Sequence, residues 1–372
     1  MSQITPVRMP KWGLSMQEGK IVHWWKSAGD KIADAEDLVD IETSKITNVC
    51  ESPIAGTLRR ITAQLDETLP VGALIAVIAE ADVSEADIDA FITEFNASFV
   101  PPASDDSGPD AMALSMVQVG SLSLRMGSRG DGDGVPIVLI HGFGGDLNNW
   151  LFNLEALAAE APVLAFDLPG HGGSSKTVGD GSLASLARAI SEALKSLSLP
   201  KVHLVGHSLG AAVAARMAAD QPGLAASLTL ICPAGLPGNT ISRPFIEGMI
   251  EAERAKDIKP LMEMLVADPA MITKAMVDDI VKFKRLDGVE TALSAIGHQL
   301  LAQSDAKTLQ ADLAKIPSAL VIASAKDQIV GTPDASALPP GFKLVLIDGA
   351  GHMPHLEKSN EVNALLLQAI RA

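Results

Sequence analysis

Residues 201–219 read Lys201-Val202-His203-Leu204-Val205-Gly206-His207-Ser208-Leu209-Gly210-Ala211-Ala212-Val213-Ala214-Ala215-Arg216-Met217-Ala218-Ala219. An apolar, β-branched run gives way to a serine set between two glycines, and then to an alanine-rich helix former. The glycines remove Cβ atoms where a strand must turn sharply into a helix, and such a turn lifts the Ser208 hydroxyl clear of a sheet. The helix start behind it offers unpaired amides to developing negative charge. The stretch therefore predicts strand, tight turn and helix, with Ser208 as candidate nucleophile.

Outward from this point the pattern from Met116 onward alternates strands with helical stretches. Continuous apolar runs at Val135–Ile140, Val163–Phe166, Val202–Val205, Leu228–Cys232, Ala319–Ala323 and Leu344–Ile347 predict buried parallel strands in a doubly wound sheet. Residues 237–305 interrupt the alternation with helix-prone sequence holding Met249, Met262, Met264, Met271 and Met276. They are expected to form an inserted helical cap, where methionines serve as core packing or as adaptable surface for an acyl chain.

A serine hydroxyl needs a base to take its proton and an acid to orient that base. The loop after Ala319–Ala323 supplies Asp327, and the loop after Leu344–Ile347 supplies His352 in Gly351-His352-Met353-Pro354-His355. The rivals are weaker: Asp348 sits too close to its own strand end, and His355 lies three residues further into the following helix. The loop His141-Gly142-Phe143-Gly144-Gly145 brings backbone amides toward the same point, so the oxyanion donors are expected to be the amides of Phe143 and Leu209. The loop Asp167-Leu168-Pro169-Gly170-His171-Gly172-Gly173-Ser174 is expected to shape the mouth of the site. No metal is called for by this set.

The first eighty residues have a different grammar. Sliding the chain by 37 positions puts Gly19 on Gly56, Ile21 on Leu58, Trp24 on Ile61, Ile32 on Leu69, Leu38 on Ile75 and Ile41 on Ile78. Short strands repeated in this way predict a small all-β sandwich with a pseudo-twofold axis. Asp40-Ile41-Glu42-Thr43-Ser44-Lys45-Ile46-Thr47 lies between the two halves, which puts Lys45 at the midpoint of the repeat. A group carrier needs such a lysine, projecting away from core contacts.

Asp87 to Phe95 reads as a short acidic amphipathic helix. It is followed by Pro101-Pro102 and a run of Ala, Ser, Asp, Gly and Pro, a composition too poor in apolar groups to repay ordering. The expected organisation is a carrier domain at 1–82, an acidic helix and flexible linker at 83–114, and a catalytic domain at 115–372 with its cap at about 237–305. A tether of about twenty residues spans roughly 25 Å and keeps the two domains at high effective concentration.

Composition narrows the partners. The formal charge is −16, and half of it comes from residues 81–110, which hold eight acidic and no basic residues. An acidic chain is unsuited to the phosphate backbone, so nucleic acid is not expected. Hydrophobic residues at 47% and charged residues at 20% fit a globular enzyme that needs no staples. With Cys50 and Cys232 as the two cysteines, and no stretch long enough to span a bilayer, a cytoplasmic protein with buried thiols and no membrane association is expected.

Across roughly 115–372 the serine turn, the acid, the histidine and the His-Gly-Phe-Gly loop resemble the α/β-hydrolase family. The segment around Lys45, with its two related halves, resembles the lipoyl/biotinyl domains. Biotinyl lysines typically have methionine neighbours, whereas Ser44 and Ile46 stand here, which favours lipoate on Lys45. The combination resembles the dihydrolipoyl acetyltransferase subunits of bacterial acetoin dehydrogenase complexes. That resemblance implies transfer of an acetyl group from lipoyl-Lys45 to coenzyme A through an acyl-Ser208 intermediate. It also implies thiamine-diphosphate-dependent acetoin dehydrogenase subunits, a dihydrolipoyl dehydrogenase and a lipoylating enzyme as partners. The chain departs from most lipoyl acyltransferases, having neither a small subunit-binding domain nor a His-x-x-x-Asp-Gly signature. Two other readings fit the residues: a serine hydrolase acting on an ester, thioester or carbon-carbon bond and tethered to a lipoyl domain, or a non-catalytic scaffold and carrier.

Overall fold

The computed structural model describes residues 4–10, 18–34, 36–43, 47–80, 82–99, 112–302, 309 and 312–372. The chain divides into an N-terminal unit and a C-terminal unit that begins at Met112.

The N-terminal unit has strands β1 (Ile4–Arg8), β2 (Glu18–Trp24), β3 (Lys31–Ile32), β4 (Asp37–Glu42), β5 (Thr47–Glu51), β6 (Gly56–Ile61), β7 (Thr68–Pro70) and β8 (Leu74–Ala79). They form two four-stranded sheets, ordered β1-β8-β6-β3 and β5-β4-β2-β7. The 37-residue offset carries β2 onto β6, β3 onto β7 and β4 onto β8, so each sheet repeats the order of the other. Ile21, Leu38, Ile41, Leu58, Ile75 and Ile78 are all fully buried, and Trp24, Ile61 and Leu69 pack around them. The repeat in the sequence is thus the repeat of one core, because alternate residues of paired strands must face the same interior.

Helix α1 (Glu85–Ser98) is longer than the expected Asp87–Phe95 segment. Ser84 caps it by accepting from the Asp87 amide. Ile88, Phe91, Ile92 and Phe95 recur at helical spacing and pack against Leu74, Val77 and Ala79 of β8. Exposed pairs of Arg60 with Glu85 and Asp89 flank this seam. The sequence reading ended the carrier domain near 82, but this apolar stripe makes α1 part of the N-terminal unit. Of the remainder of the expected linker to 114, residues 100–111 lie outside the described residues, as does Lys45, while Ala113 and Leu114 already belong to the first strand of the C-terminal unit rather than to a linker.

The C-terminal unit is built on an eight-stranded sheet. Its strands are β9 (Ala113–Val119), β10 (Leu122–Arg129), β11 (Ile137–Ile140), β12 (Val163–Phe166), β13 (Val202–His207), β14 (Ala225–Ile231), β15 (Ala319–Ser324) and β16 (Phe342–Ile347), ordered β16-β15-β14-β13-β11-β12-β10-β9. The six strands from β11 to β16 run parallel, and the β9–β10 hairpin joins antiparallel. Helices α2 (Leu151–Ala158), α3 (Leu183–Ser196), α4 (Leu209–Asp220) and, near the C-terminus, α9 (Pro354–Glu357) and α10 (Ser359–Arg371) cover it. Among the described residues, helices α5 (Arg243–Glu251), α6 (Ala255–Glu263), α7 (Lys274–Lys284) and α8 (Val289–Ala302) lie between β14 and β15, where the cap was expected.

Three strand expectations shift for identifiable reasons. β11 starts at Ile137 rather than Val135, because Pro136 has no N–H for the ladder; its carbonyl accepts from the His203 amide instead. The strand before the cap stops at Ile231, and Cys232 takes a φ of 41° outside it. β16 is an edge strand with Leu346 49% exposed, so its apolar run is not buried on both faces as read.

Candidate active site

Ser208 stands between β13 and α4 with φ 54° and ψ −116°, a conformation that costs on the order of 1–3 kcal/mol for a residue with a Cβ. The flanking glycines show why the turn tolerates nothing larger. A Cβ on Gly206 would lie 2.3 Å from the Gly210 carbonyl oxygen, and one on Gly210 would lie 2.2 Å from that of Ile140. The Ser208 amide donates to Ile231 on β14, which fixes the turn against the next strand.

Asp327 and His352 leave the ends of β15 and β16 and meet, His352 Nδ1 lying 2.8 Å from Asp327 Oδ2. The other carboxylate oxygen accepts from the amides of Ile329 (2.8 Å) and Val330 (3.0 Å). Burial of this carboxyl pushes its pKa up, but the His352 ring and the two amides outweigh it, leaving the group below its usual range and ionised. Among the described residues no hydrogen bond joins Ser208 to His352 Nε2, a gap that acid-base pairs of this kind commonly close with substrate in place. The amides of Phe143 and Leu209 meet no acceptor among the described residues, and Leu209 is the first residue of α4, where a helix leaves its N–H free.

The loop around His352 is held from the cap side. The His352 amide donates to the Leu265 carbonyl at 2.8 Å. Half-buried Glu357 accepts from Gly351, Met353 and, across at the cap, Ala267. A Cβ on Gly351 would strike the Val266 backbone at 2.6 Å. Cap helices α5 and α8 also reach the His141–Gly145 loop: a Cβ on Gly144 would lie 3.2 Å from Met249, and one on Gly297 would lie 3.4 Å from the Phe143 ring. The sequence reading missed Glu357, though its place in Gly351-His352-Met353-Pro354-His355-Leu356-Glu357 was a usable signal.

Asp167 organises the mouth loops. Fully buried, it accepts from the amides of Leu147 (2.8 Å) and Gly173 (2.6 Å) and pairs with Arg125. Its loop thereby ties the segment after β11 to the segment after β12.

Four buried imidazoles, His141, His171, His207 and His355, lie around the Asp327–His352 pair. His141 donates from Nδ1 to the Gly142 carbonyl and accepts at Nε2 from the Leu168 amide, so both nitrogens are used by a neutral ring. His355, the rival base, rests against Trp150 and His207 with neither nitrogen bonded, while the pair with Asp327 is made by His352. Burial pulls His171 and His355 down to about 3, and it lowers His141 and His207 as well. These rings stay neutral when folded but take up protons when unfolded, near an ordinary 6.5. The unfolded state therefore binds more protons as pH falls from 6.5 toward 3, and stability drops over that window. For His171 and His355 together the loss between pH 6.5 and about pH 5 is on the order of 3 kcal/mol. Urea unfolding of the full chain at the two pH values should show this as a lower midpoint in acid. An unchanged midpoint would mean the rings are solvated or already charged.

Cys50 and Cys232 are free and buried. Burial pushes the Cys50 thiol up to about 12 and raises Cys232 well above its ordinary value. Neither is poised to act as a thiolate. No helix of the described residues is long and apolar enough to cross a membrane.

Residues 135–359 match the family model of the alpha/beta hydrolase fold, and residues 5–78 match the model described as biotin-requiring enzyme, which covers the biotin/lipoyl domains. Among solved structures, a meta-cleavage product hydrolase from Pseudomonas fluorescens superposes with a TM-score of 0.62 at 19% identity, over 70% of this chain and 98% of its own. That likeness concerns the fold alone. The chain is 44% identical to the dihydrolipoyllysine-residue acetyltransferase component of the acetoin cleaving system of Pseudomonas putida, over the whole of both chains. It is 40% identical to the component of the same name from Cupriavidus necator, over 98% of this chain and 96% of that one. The class is thus a biotin/lipoyl-type carrier domain joined to an α/β-hydrolase-fold domain. Within that class, the chain belongs to the family of the dihydrolipoyllysine-residue acetyltransferase components of acetoin-cleaving systems.

Proposed function

We propose that the protein transfers an acetyl group from a lipoyl group on Lys45 to coenzyme A, through an acyl-enzyme on Ser208. The observation that carries the reading is the Asp327–His352 pair beside a serine at the tip of a strained strand-to-helix turn, in a chain that also contains a carrier domain.

The described strands support the carrier assignment. β4 and β5 pair antiparallel with Glu42 opposite Thr47, and Lys45 falls between those two positions in the sequence. The amine of Lys45 would hold lipoate by an amide bond. When bound, that group supplies a dithiol that presents the acyl group as a thioester. His352, held in one orientation by Asp327, takes the Ser208 proton as the Oγ attacks the thioester carbonyl. The free amides of Phe143 and Leu209 then receive the oxyanion. As the carbon–sulfur bond breaks, His352 would give that proton to the departing sulfur, and the acetyl group would be left on Ser208. Coenzyme A gives its thiol proton to His352 and attacks that ester, and the returning proton restores Ser208. Cytoplasmic acetoin-cleaving subunits dependent on thiamine diphosphate, a dihydrolipoyl dehydrogenase and a lipoylating enzyme are the partners this cycle requires.

Transfer must beat hydrolysis, because both resolve the same acyl-serine. Water is the more concentrated nucleophile, so the site has to bind the thiol and keep water out. The burial of Ser208 and His352, at 6% and 2% exposed, and the seating of α5 and α8 against the oxyanion loop favour exclusion. The full chain given S-acetyl-dihydrolipoamide and saturating coenzyme A should form acetyl-CoA in about tenfold excess over acetate. Acetate as the main product would replace this reading with a tethered serine hydrolase, and no turnover of either kind would favour a scaffold.

A further inference from the structure

His207 is the residue of the serine turn to which the proposed chemistry gives no task. It is buried, and its Nε2 lies 2.8 Å from the carbonyl oxygen of His352. A carbonyl only accepts, so Nε2 carries the proton and donates. The ring centroid is 4.8 Å from that of His352 and 4.4 Å from that of His355. Against its other side lies the oxyanion loop, where a Cβ on Gly142 would come within 2.9 Å of Nδ1 and 3.1 Å of the Ser208 Cβ. One imidazole, one bond away in sequence from Ser208, therefore touches both the loop that bears the base and the loop that bears an oxyanion donor.

We propose that His207 is a positioning residue, whose Nε2–H holds the main chain of His352 at the depth where its Asp327-paired ring addresses Ser208, and whose ring sets the standoff of the Gly142–Phe143 loop. The assignment rests on the reading of Ser208, Asp327 and His352 given above. The charged or titratable groups facing the ring are His352, His355 and His141. All are imidazoles, so a second proton on His207 would meet no carboxylate, and Nδ1 has no partner among the described residues. Burial accordingly keeps the ring neutral, in the one tautomer that can donate to His352.

The full chain is assayed with p-nitrophenyl acetate as wild type, Ser208→Ala, His207→Phe and His207→Gln. Phenylalanine keeps the bulk without the donor, and glutamine keeps an amide donor. His207→Phe should lower kcat by about 10- to 100-fold with little change in KM and should move the acidic limb of the pH profile, while His207→Gln should recover most of the loss. Wild-type kcat and profile in a folded His207→Phe, or equal losses in both variants with an unmoved profile, would overturn the proposal. If His207→Phe does not fold, nitrogen NMR of wild-type imidazoles decides: a neutral Nε2–H tautomer from pH 5.5 to 8 is expected, and an Nδ1–H tautomer or a titrating ring would overturn it. Turnover surviving in Ser208→Ala would instead sink the underlying site assignment, which keeps the two failures apart.

Discussion

Ser208→Ala is expected to cut p-nitrophenyl acetate turnover by the full chain by about 10⁴- to 10⁶-fold, the scale on which a nucleophile acting as a unit with its base is lost. The substitution deletes Oγ alone. Alanine keeps a Cβ, so the strained φ of 54° persists and the turn is not relaxed into another shape. Asp327 and His352 remain bonded to each other, to Ile329 and Val330 and to the cap, and none of those bonds includes Ser208 Oγ. The fold should therefore survive, which circular dichroism would verify, and lipoylation of Lys45 should be untouched. Turnover within about tenfold of wild type, in a folded variant, would remove Ser208 from the chemistry.

Lys45→Arg should have the complementary effect. Arginine keeps the positive charge at position 45, but its guanidinium stays protonated and forms no stable amide with a carboxylate. Intact mass of protein made in a lipoate-competent host should lose the lipoyl increment completely. Acetyl-CoA formation by the reconstituted complex should fall by more than about 10³-fold, since the tethered donor is gone and with it the effective concentration the tether provides. Ester turnover should stay at the wild-type rate, because the C-terminal unit holds Ser208, Asp327 and His352 by itself. A lipoyl increment that persists, mapped to another lysine, would overturn the carrier assignment. Together the two variants separate carrier from catalyst within one chain.

Much of this was written locally in the chain. The serine turn was legible because its requirement is steric: no Cβ fits at Gly206 or Gly210, so the pattern of glycines is itself the geometry. The order of Ser208, Asp327 and His352 was legible because parallel strands deliver their C-terminal ends to one edge, so each motif needed only to follow its own strand. The 37-residue repeat gave the carrier sandwich for a similar reason, since β4 and β8 fill equivalent places in one core.

Other features depended on what lay across from each residue. The ownership of α1 could not be read from its acidic composition; it follows from Ile88, Phe91, Ile92 and Phe95 finding β8 beneath them. The edge position of β16 is decided by sheet order, which an apolar run does not reveal. His352 and His355 stand three residues apart in the same short stretch. It is the packing that gives the first a carboxylate and the second ring contacts with Trp150 and His207. His207 was silent, because its partner, the His352 carbonyl, is 145 residues away, and the reach of Glu357 to Ala267, across 90 residues, was equally hidden. Sequence by itself thus determined the two folds and the chemical types at the site, since those follow from periodicity and from backbone geometry within a few residues. Tertiary structure decided which buried polar groups are paired and which side chains brace the base, since a hydrogen bond depends on distances that only the closed chain sets.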